Sequence, residues 1–376
     1  MIAKGVNETP LMNRITYTLL AKWGSTAKGI FIGLFLLMQI QAFFIPATAV
    51  RSSLMVPVVL SVLKSAGARK GSNFSKLMLV GTAYAGNISG TAVLTAAIGN
   101  ILTIEILQLY VGRSLSYLDW FLYAFPIWVL LIVVIPYIVW KCFPPENFPF
   151  HLLHKQMEKK KESMGALSKS ELKCILILSL TVFLWITQSI HGYHPTVPAL
   201  MAVVLMAMPR IGFVTWTKLV NVNFDLVLLV GATLSLGFAL IESGAIDLLE
   251  VLVTSENILN IFANPWFAIL IVILLSQIYH LGVTNVSTAV VTLLPVLISL
   301  SLQAELDPVV ISFTSAITIL FGYVLVVETM PMVVVHGTGM INQRDFYLPG
   351  LLATTASTII TLIVAFTWWR WLGFWP

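Results

Sequence analysis

Long apolar stretches dominate the chain and are separated by short polar segments. The stretches of spanning length lie at 77–110, 119–141, 173–190, 195–214, 224–243, 308–340 and 347–372. About 20 apolar residues cross a bilayer as a helix, so the pattern predicts an all-α polytopic membrane protein. Two further stretches, 28–63 and 264–303, are apolar but interrupted in the middle. The long polar segment 143–172 separates the chain into two halves.

Two of the spans are too long to be single straight helices. Segments 77–110 and 308–340 hold 34 and 33 residues, which as helices would reach roughly 50 Å across a hydrocarbon core of about 30 Å. Small and polar residues fill the middle of the first (85–91), and the second contains Pro331. Proline removes a backbone donor and restricts the residue before it. We therefore predict two broken helices, whose unwound backbone lines a polar cavity or is buried in protein.

The composition excludes several classes of protein. Of 376 residues, 58% are hydrophobic and only 10% are charged, whereas a globular domain carries about 25% charged residues. A soluble enzyme, a nucleic-acid-binding protein and a disordered protein are excluded on this basis. Hydrolase, metalloprotease, P-loop and dinucleotide motifs do not occur in a usable context. We therefore expect a protein that is not an enzyme, has no cofactor and no nucleic-acid partner, and lies in a lipid bilayer.

The basic residues predict the orientation of the chain. If the 143–172 linker is cytoplasmic, 18 of the 21 Lys and Arg residues fall on the cytoplasmic side, as the positive-inside rule requires. Arg113 and Arg370 then lie outside, and Arg51 lies within the membrane. The C-terminus is predicted to be outside. We expect a multi-pass protein of the plasma (inner) membrane, without a cleaved signal peptide in the first 28 residues.

An internal repeat relates the two halves. Residues 45–58 match residues 283–296, with Pro57 aligned to Pro295 at an offset of 238. Each copy precedes a broken span and a final span, and the copies start on opposite sides of the membrane. Inverted repeats with paired broken helices place a binding site at the membrane midplane in secondary transporters.

The repeat also defines the predicted domains. The first repeat is 1–142, with a hairpin at 28–63, a broken span at 77–110 and a span at 119–141. The linker is 143–172. The second repeat is 173–376, with scaffold spans in 173–243, a hairpin at 264–303, a broken span at 308–340 and a span at 347–372. The first repeat holds nothing that matches 173–238. We therefore expect that the first scaffold helices are missing or that the sequence starts at an internal Met.

The interrupted stretches are predicted to be re-entrant hairpins whose tips reach the middle of the bilayer. The alternative is that each is a pair of full spans joined by a tight turn, and charge asymmetry does not separate the two. The second tip contains Thr284, Asn285, Ser287 and Thr288. Their hydroxyl and amide groups, with the helix N-terminus, suit a carboxylate or a dehydrated Na⁺. Alternatively, these small polar residues pack one membrane helix against another.

Four ionisable residues in the apolar segments are candidates for a role in binding. A charge near the bilayer centre costs at least about 3 kcal/mol, so Arg51 needs a partner or a wet cavity. Arg51 either neutralises an anionic substrate, replaces a coupling cation, or pairs with Glu328 or Glu105. Glu328 is either a cation or proton ligand or the partner of Arg51. His280 and His336 are expected to be structural.

The motifs together resemble the divalent anion:sodium symporter family, the dicarboxylate, citrate and sulfate carriers, over nearly the whole chain. The segment 284–295 (TNVSTAVVTLLP) resembles the family's Ser-Asn-Thr hairpin motif. The segment 328–339 (ETMPMVVVHGTG) resembles its Ala-Thr-Pro-Pro-Asn and Gly-Ser-Gly run. The segments 84–100 and 224–244 are similar to a first-half run and a scaffold stretch of the same family.

The resemblance implies an elevator-type carrier, usually a homodimer, in which two hairpin tips and two unwound segments hold one anion and flanking sodium ions. Candidate substrate contacts come from the family motifs and from the residues themselves. They are Thr48, Arg51, Thr284, Asn285, Val286, Ser287, Thr288, Thr329 and Pro331. Sodium contacts implied in the same way are Val283, Asn285 and Glu328 in the second half and Ala96 in the first.

The first half departs from the family pattern. Pro46-Ala47-Thr48 stands where the family has Ser-Asn-Thr, and the segment 96–100 (AAIGN) stands where it has Gly-Thr-Pro-Pro-Asn. We hypothesise that Arg51 supplies the charge that sodium gives elsewhere. The predicted function is sodium-coupled symport of a di- or tricarboxylate or of sulfate, with protons as the other possible coupling ion. The alternatives are a sodium-independent anion exchanger and a truncated, non-transporting membrane subunit.

Overall fold

The secondary structure is helical throughout the described part of the chain. The computed structural model describes residues 1–146, 148, 150–221, 264–283 and 285–375, together with isolated positions between 222 and 263. Among these described residues, five helices are long and apolar enough to cross a membrane: Thr48–Ala66, Tyr117–Cys142, Pro265–Gly282, Val286–Gln303 and Arg344–Trp369. The chain is therefore an all-α, multi-pass membrane protein, as the hydrophobic pattern predicts. The predicted span 224–243 lies largely outside the described residues.

The first half contains eight helices in its described residues. They are α1 (Ile2–Asn7), α2 (Leu11–Trp23), α3 (Ala27–Gln41), α4 (Thr48–Ala66), α5 (Asn73–Ile88), α6 (Ile98–Val111), α7 (Tyr117–Cys142) and α8 (Phe150–Ser163). Helices α3 and α4 form a hairpin, and α5 and α6 are separated by residues 89–97, which include one turn of 3₁₀ helix. Helix α8 lies inside the polar linker, where the apolar pattern predicts no element.

The second half repeats part of this order. Its described helices are α9 (Lys169–Ile186), α10 (Gln188–His191), α11 (Thr196–Ala207), α12 (Trp216–Val220), α13 (Pro265–Gly282), α14 (Val286–Gln303), α15 (Pro308–Ile319), α16 (Met330–His336) and α17 (Arg344–Val364), which continues as a π-helical turn. Helices α13 and α14 form a second hairpin, and residues 320–329 separate α15 from α16. A proline lies inside each of α4 and α14, at Pro57 and Pro295.

Serine caps define where two of the long helices begin. Ser116 and Asp119 form a capping box at the start of α7, and Ser168 and Glu171 form another at the start of α9. In each box the serine hydroxyl accepts from a backbone N–H of the first turn, and the acidic side chain accepts from the N–H of the serine. These bonds satisfy donors that a helix N-terminus otherwise leaves unpaired, so both helices start at polar positions next to apolar runs.

The buried apolar residues form two separate clusters. The main core joins α3–α7 with α13–α17. Helix α14 of the second half packs against α6 of the first, and α16 packs against α4 and α5. A smaller second core joins α1 and the start of α2 with α9 and α11, and it includes Ile45 at the tip of the first hairpin. The two halves of the chain are therefore packed together in the main core, whereas α9 and α11 lie mainly in the second core, with Trp185 of α9 reaching the main one.

Side chains satisfy the carbonyl groups of both unwound segments. In the first segment, Asn100 Nδ2 donates to the Gly90 and Val93 carbonyls, and Trp120 Nε1 donates to the Thr91 carbonyl. A buried backbone group without a partner is costly in a membrane, so these bonds make the break in the α5–α6 span tolerable.

In the second segment the donors come from both halves of the chain. Asn87 Nδ2 donates to the Gly322 carbonyl at 2.7 Å, and Tyr84 Oη donates to the Tyr323 carbonyl at 2.8 Å. Gln343 at the start of α17 donates to the Val324 carbonyl and accepts from the N–H of Val326. The unwound backbone between α15 and α16 is thus fixed by residues of α5 and α17.

Candidate functional site

A cavity of about 140 Å³ lies between the two hairpin tips and the two breaks in the long spans. The first hairpin contributes residues 47–50 and the second contributes residues 285–287. The start of α6 contributes residues 97–99, and the start of α16 contributes Thr329 and Met330. Asn87 and Leu320 complete the lining. The fold therefore brings together, around one cavity, the four segments that the sequence singles out.

Three long helices begin at this cavity. Helix α4 begins after Ala47 and helix α6 after Ala97, and neither N-terminus has a side-chain cap. Helix α14 begins after Asn285, whose Oδ1 accepts from the Ser287 N–H at 2.9 Å. Free N–H groups and the positive end of the helix dipole favour an anion. The cavity wall is therefore electropositive without carrying a charged side chain.

A few residues with hydroxyl or amide groups are part of an otherwise apolar cavity lining. Thr48, Asn87, Asn285, Ser287 and Thr329 are the polar side chains among the lining residues. Thr329 is 3% exposed, and its Oγ1 has no hydrogen-bond partner. A buried hydroxyl without a partner costs free energy, so a ligand atom that accepts from Thr329 would remove a penalty already present.

The tip of the first hairpin holds an unusual backbone conformation at Ala47. Its φ is +71° and its ψ is 122°, a region that residues other than glycine rarely adopt and that costs about 1–3 kcal/mol. Ala47 lines the cavity directly before α4 begins. The strained residue thus aims the uncapped N-terminus of α4 at the site.

Arg51 lies on the first turn of α4 and is fully buried. Its Nε donates to Ser89 Oγ at 3.0 Å, and one terminal nitrogen donates to the Ile45 carbonyl at 2.6 Å and the Ala96 carbonyl at 3.0 Å. The other terminal nitrogen is buried without a partner. Neither predicted carboxylate partner contacts Arg51, which does not line the cavity.

The oxygens around Arg51 form a set that would otherwise suit a metal cation. Two backbone carbonyls and one hydroxyl, from the hairpin tip and the first unwound segment, converge on the guanidinium group. Hard cations such as Na⁺ prefer oxygen ligands of this type. The carbonyl of Ala96, a residue that the family resemblance assigns to sodium, therefore accepts from Arg51, and the sodium assignment of Ala96 stays a prediction.

Glu328 organises the second unwound segment rather than pairing with Arg51. Its carboxylate accepts from the N–H groups of Val324 at 3.1 Å and Leu325 at 2.9 Å, and the residue is 2% exposed. A Cβ on Gly322 would lie 2.8 Å from Glu328 Oε2 and 3.0 Å from His280 Cδ2. Glycine is therefore required at 322 to let these two buried side chains approach.

The remaining predicted site residues fall into three groups. Thr48, Asn285, Val286, Ser287 and Thr329 line the cavity. Val283, Thr288 and Pro331 adjoin these segments without lining it, and Pro331 packs against Gly86. Thr284 lies outside the described residues. The sodium assignments of Val283, Asn285 and Glu328 stay predictions.

Two residues with a clear place at the site were not among the predicted ones. Asn87 lines the cavity, and Ser89 holds Arg51. Both lie in the polar middle of the first over-long span, and this composition marked the segment without showing which side chains point to the ligand. Where a helix is broken, the direction of each side chain depends on the folded backbone and does not follow from helical periodicity.

The family to which the chain belongs follows from a match over almost its full length. The model of the family described as sodium:sulfate symporter transmembrane region matches residues 1–375. The chain belongs to this family. The resemblance drawn from the hairpin and broken-span motifs is thereby confirmed. The candidate site of this chain is lined by hydroxyls, amides and helix N-termini among apolar residues.

Three relatives illustrate the range of proteins similar to this symporter family member. A membrane protein of Cupriavidus necator is 26% identical over 377 residues, covering 99% of this chain and 73% of its own length. A sodium-dependent dicarboxylate transporter of Staphylococcus saprophyticus is 23% identical, covering 97% of this chain and 74% of its own length. A citrate/succinate antiporter of Escherichia coli K12 is 23% identical, covering 82% of this chain and 61% of its own length.

Proposed function

We propose that this chain is a secondary active carrier that moves a small divalent anion across a membrane by sodium-coupled symport. The observation that carries this proposal is the cavity between the two hairpin tips, where three helix N-termini and the unpartnered hydroxyl of Thr329 converge. Its substrate is a dicarboxylate, a tricarboxylate or sulfate. Relatives named as dicarboxylate and citrate/succinate transporters support this substrate class.

The size of the cavity favours the smaller members of this class. Its volume of about 140 Å³ resembles the roughly 150 Å³ cavity that accommodates benzene in an engineered protein, a ligand of six heavy atoms. Sulfate and four-carbon dicarboxylates are comparable in size, whereas citrate is larger. We therefore expect the four-carbon dicarboxylates and sulfate to bind in the conformation seen here more readily than citrate.

The electrostatics of the site require positive charge or dipoles that compensate the anion. A dianion transferred from water to a low-dielectric site is prohibitively unstable unless charges or dipoles offset it. Arg51 supplies one positive charge next to the first hairpin tip, and the helix N-termini contribute partial charges. A sodium ion held by the second hairpin tip, with Val283, Asn285 and Glu328 as its predicted contacts, would supply the second charge.

The second candidate function is sodium-independent exchange of two anions, and Arg51 favours it. The guanidinium group occupies the oxygen set of the first half permanently, so it stays in the carrier when the substrate leaves. A carrier with a fixed positive charge crosses the membrane at lower cost with an anion bound than without one. Such an arrangement favours exchange, and the antiporter among the relatives supports this candidate.

The transport cycle that we propose is an elevator movement of the main core against the unit formed by α9 and α11. The partition of the buried apolar residues into two cores supports it, because two packed units can shift against each other without either unfolding. The parallel order of hairpin, broken helix and final helix in the two halves supports inverted repeats. We further propose a homodimer in the plasma membrane, with the linker cytoplasmic and the C-terminus outside.

Uptake into proteoliposomes tests these functions together. Purified protein is reconstituted, and the uptake of labelled succinate, citrate and sulfate is measured with and without an inward sodium gradient. Uptake that requires the gradient supports symport. Counterflow that needs internal anion but no sodium supports exchange. A correctly folded protein that binds none of the anions and transports none refutes both and leaves the non-transporting subunit.

A further inference from the structure

Helix α2 connects the two apolar cores. Its first turn contributes Leu11 and Met12 to the second core, next to α9 and α11, whereas Leu20 near its end lies in the main core. The following helix, α3, is the first arm of the hairpin whose tip lines the candidate site. Helix α2 is therefore one of the connections between the two cores, beside the direct contacts of α9 and α10 with α7.

Arg14, in the first turn of α2, makes an unusually complete set of bonds to the start of α9 and the segment before it. Its Nε donates to Glu171 Oε1 at 2.7 Å, and a terminal nitrogen donates to Glu171 Oε2 at 3.1 Å. The terminal nitrogens also donate to the carbonyls of Met164, Gly165 and Ala166. The Glu171 side chain is fully buried, although it lies at the polar end of α9. A bidentate pair with additional acceptors fixes geometry as well as charge.

Packing alone does not hold α2 against α9. A cavity of about 540 Å³ lies between them, lined by residues that include Ile15 and Leu19 of α2 and Ile175 and Leu178 of α9. Arg14 lies at the edge of this cavity and bridges the gap. The ion pair therefore adds to the apolar contacts that Leu11 and Met12 of α2 make in the second core.

The segments on either side of Arg14 differ in how they are held. On its N-terminal side, α1 is tied to α12 by the Lys218–Glu8 ion pair at 2.6 Å and by the bond from Lys4 to the Asn221 carbonyl. On its C-terminal side, α2 ends at Gly24, where a Cβ would lie 2.2 Å from the Leu20 carbonyl oxygen. The turn 24–26 is thus the nearest joint between the anchored segment and the first hairpin.

We propose that Arg14 is a positioning residue for transport, because it anchors α2 to α9 and so provides the fixed end against which the first hairpin moves. The proposal rests on the proposed carrier function. Because α2 packs against α3, the first arm of the hairpin, loss of the anchor would let α2 move together with the hairpin. The loss would slow translocation while leaving the anion-binding residues intact.

The test compares Arg14→Gln and Glu171→Gln with Arg113→Gln, which removes the exposed pair between Arg113 and Asp307. Anion binding is measured as Kd with succinate and sulfate on purified protein, and uptake in proteoliposomes gives Vmax and KM. We expect Vmax to fall about tenfold in both anchor variants with Kd within about twofold, and neither value to change in the control. Arg14→Lys, which keeps the charge but loses the fork, should recover part of Vmax.

A distance measurement shows, independently of transport, whether Arg14 anchors α2 to α9. Spin labels at Lys22→Cys and Leu176→Cys, with Cys142 and Cys174 replaced by Ser, report the separation of α2 and α9. We expect Arg14→Gln to broaden this distance distribution. The proposal is overturned by unchanged distances, by an unchanged Vmax, or by a rise in Kd that accompanies a loss of thermal stability. A wild-type protein that transports no anion refutes the carrier function instead, and the spin-label distances still decide whether Arg14 fixes α2.

Discussion

Replacing Arg51 by Gln tests the electrostatics of the site most directly. The guanidinium binds the Ala96 carbonyl, and the next residue, Ala97, lines the cavity, so roughly 8 Å separate the charge from a bound anion by chain geometry. At an effective dielectric of about 20, this corresponds to about 2 kcal/mol for each anionic charge. In the absence of sodium, we therefore expect the Kd of a monoanionic ligand to rise about 30-fold and the Kd of a dianion to rise more.

The same variant also exposes the oxygen set around the guanidinium. Arg51→Gln frees the carbonyls of Ile45 and Ala96, and each buried carbonyl without a partner costs about 1–3 kcal/mol. A sodium ion that enters this space would satisfy both, so sodium should restore much of the lost anion affinity. The assay is calorimetric titration of succinate in sodium and in choline buffer, with thermal unfolding to verify the fold.

A control and a refuting result follow from the same geometry. Arg113→Gln removes an arginine of equal charge that is exposed and pairs with Asp307, so it should change neither affinity nor sodium dependence. If Arg51→Gln folds and retains both the wild-type Kd and the wild-type response to sodium, Arg51 does not replace a cation. Arg51→Lys keeps the charge but not the fork, and it should show intermediate values.

Three further predictions address other parts of the molecule. Thr329→Val removes the unpartnered hydroxyl and should weaken anion binding about fivefold to tenfold, as loss of one hydrogen bond worth about 1 kcal/mol or slightly more requires; an unchanged Kd in titration would show that Thr329 does not touch the ligand. The bond from Arg14 holds the pKa of Glu171 at about 2, so the stability from this pair is present above the ordinary pKa near 4.5 and is lost as pH falls toward 2; melting temperatures of wild type and Glu171→Gln should differ at pH 6 and converge toward pH 2. His194 and Glu105 lie 2.9 Å apart across the two units, so a bifunctional thiol cross-linker between His194→Cys and Glu105→Cys should stop uptake until it is reduced, and undiminished uptake of the cross-linked protein would contradict movement between the units.

The fold class and the family could be predicted because both depend on patterns that are local in the sequence. Runs of apolar residues show the helices, and small and polar residues at 85–91 or a proline at 331 mark where a long helix is costly to continue. The helix inside the linker, α8, has no such pattern, because its polar face meets water and its contact with α2 is long-range. Local signals of this kind therefore predict membrane helices better than linker helices.

The partners of individual charges could not be predicted in the same way. From the sequence, Glu328 and Glu105 are the candidate partners of Arg51, because a charge in an apolar segment requires compensation. The structure satisfies it with neutral oxygens of Ile45, Ser89 and Ala96, and Glu105 pairs with His194. Backbone carbonyls leave no mark in a sequence, so the choice between an acidic partner and a cage of carbonyls requires the folded backbone.

The origin of the bonds that hold the two unwound segments has a consequence for biogenesis. The carbonyls of the first segment are bound by Asn100, Trp120 and Arg51, all in the first half, so these bonds can form before the ribosome reaches the second half. The second segment depends on Tyr84 and Asn87, which by then are already in the membrane. Synthesis from the N-terminus therefore delivers these two donors before their acceptors in the second half. The second half inserted alone would expose unsatisfied carbonyls to the bilayer and become a substrate for quality-control proteases.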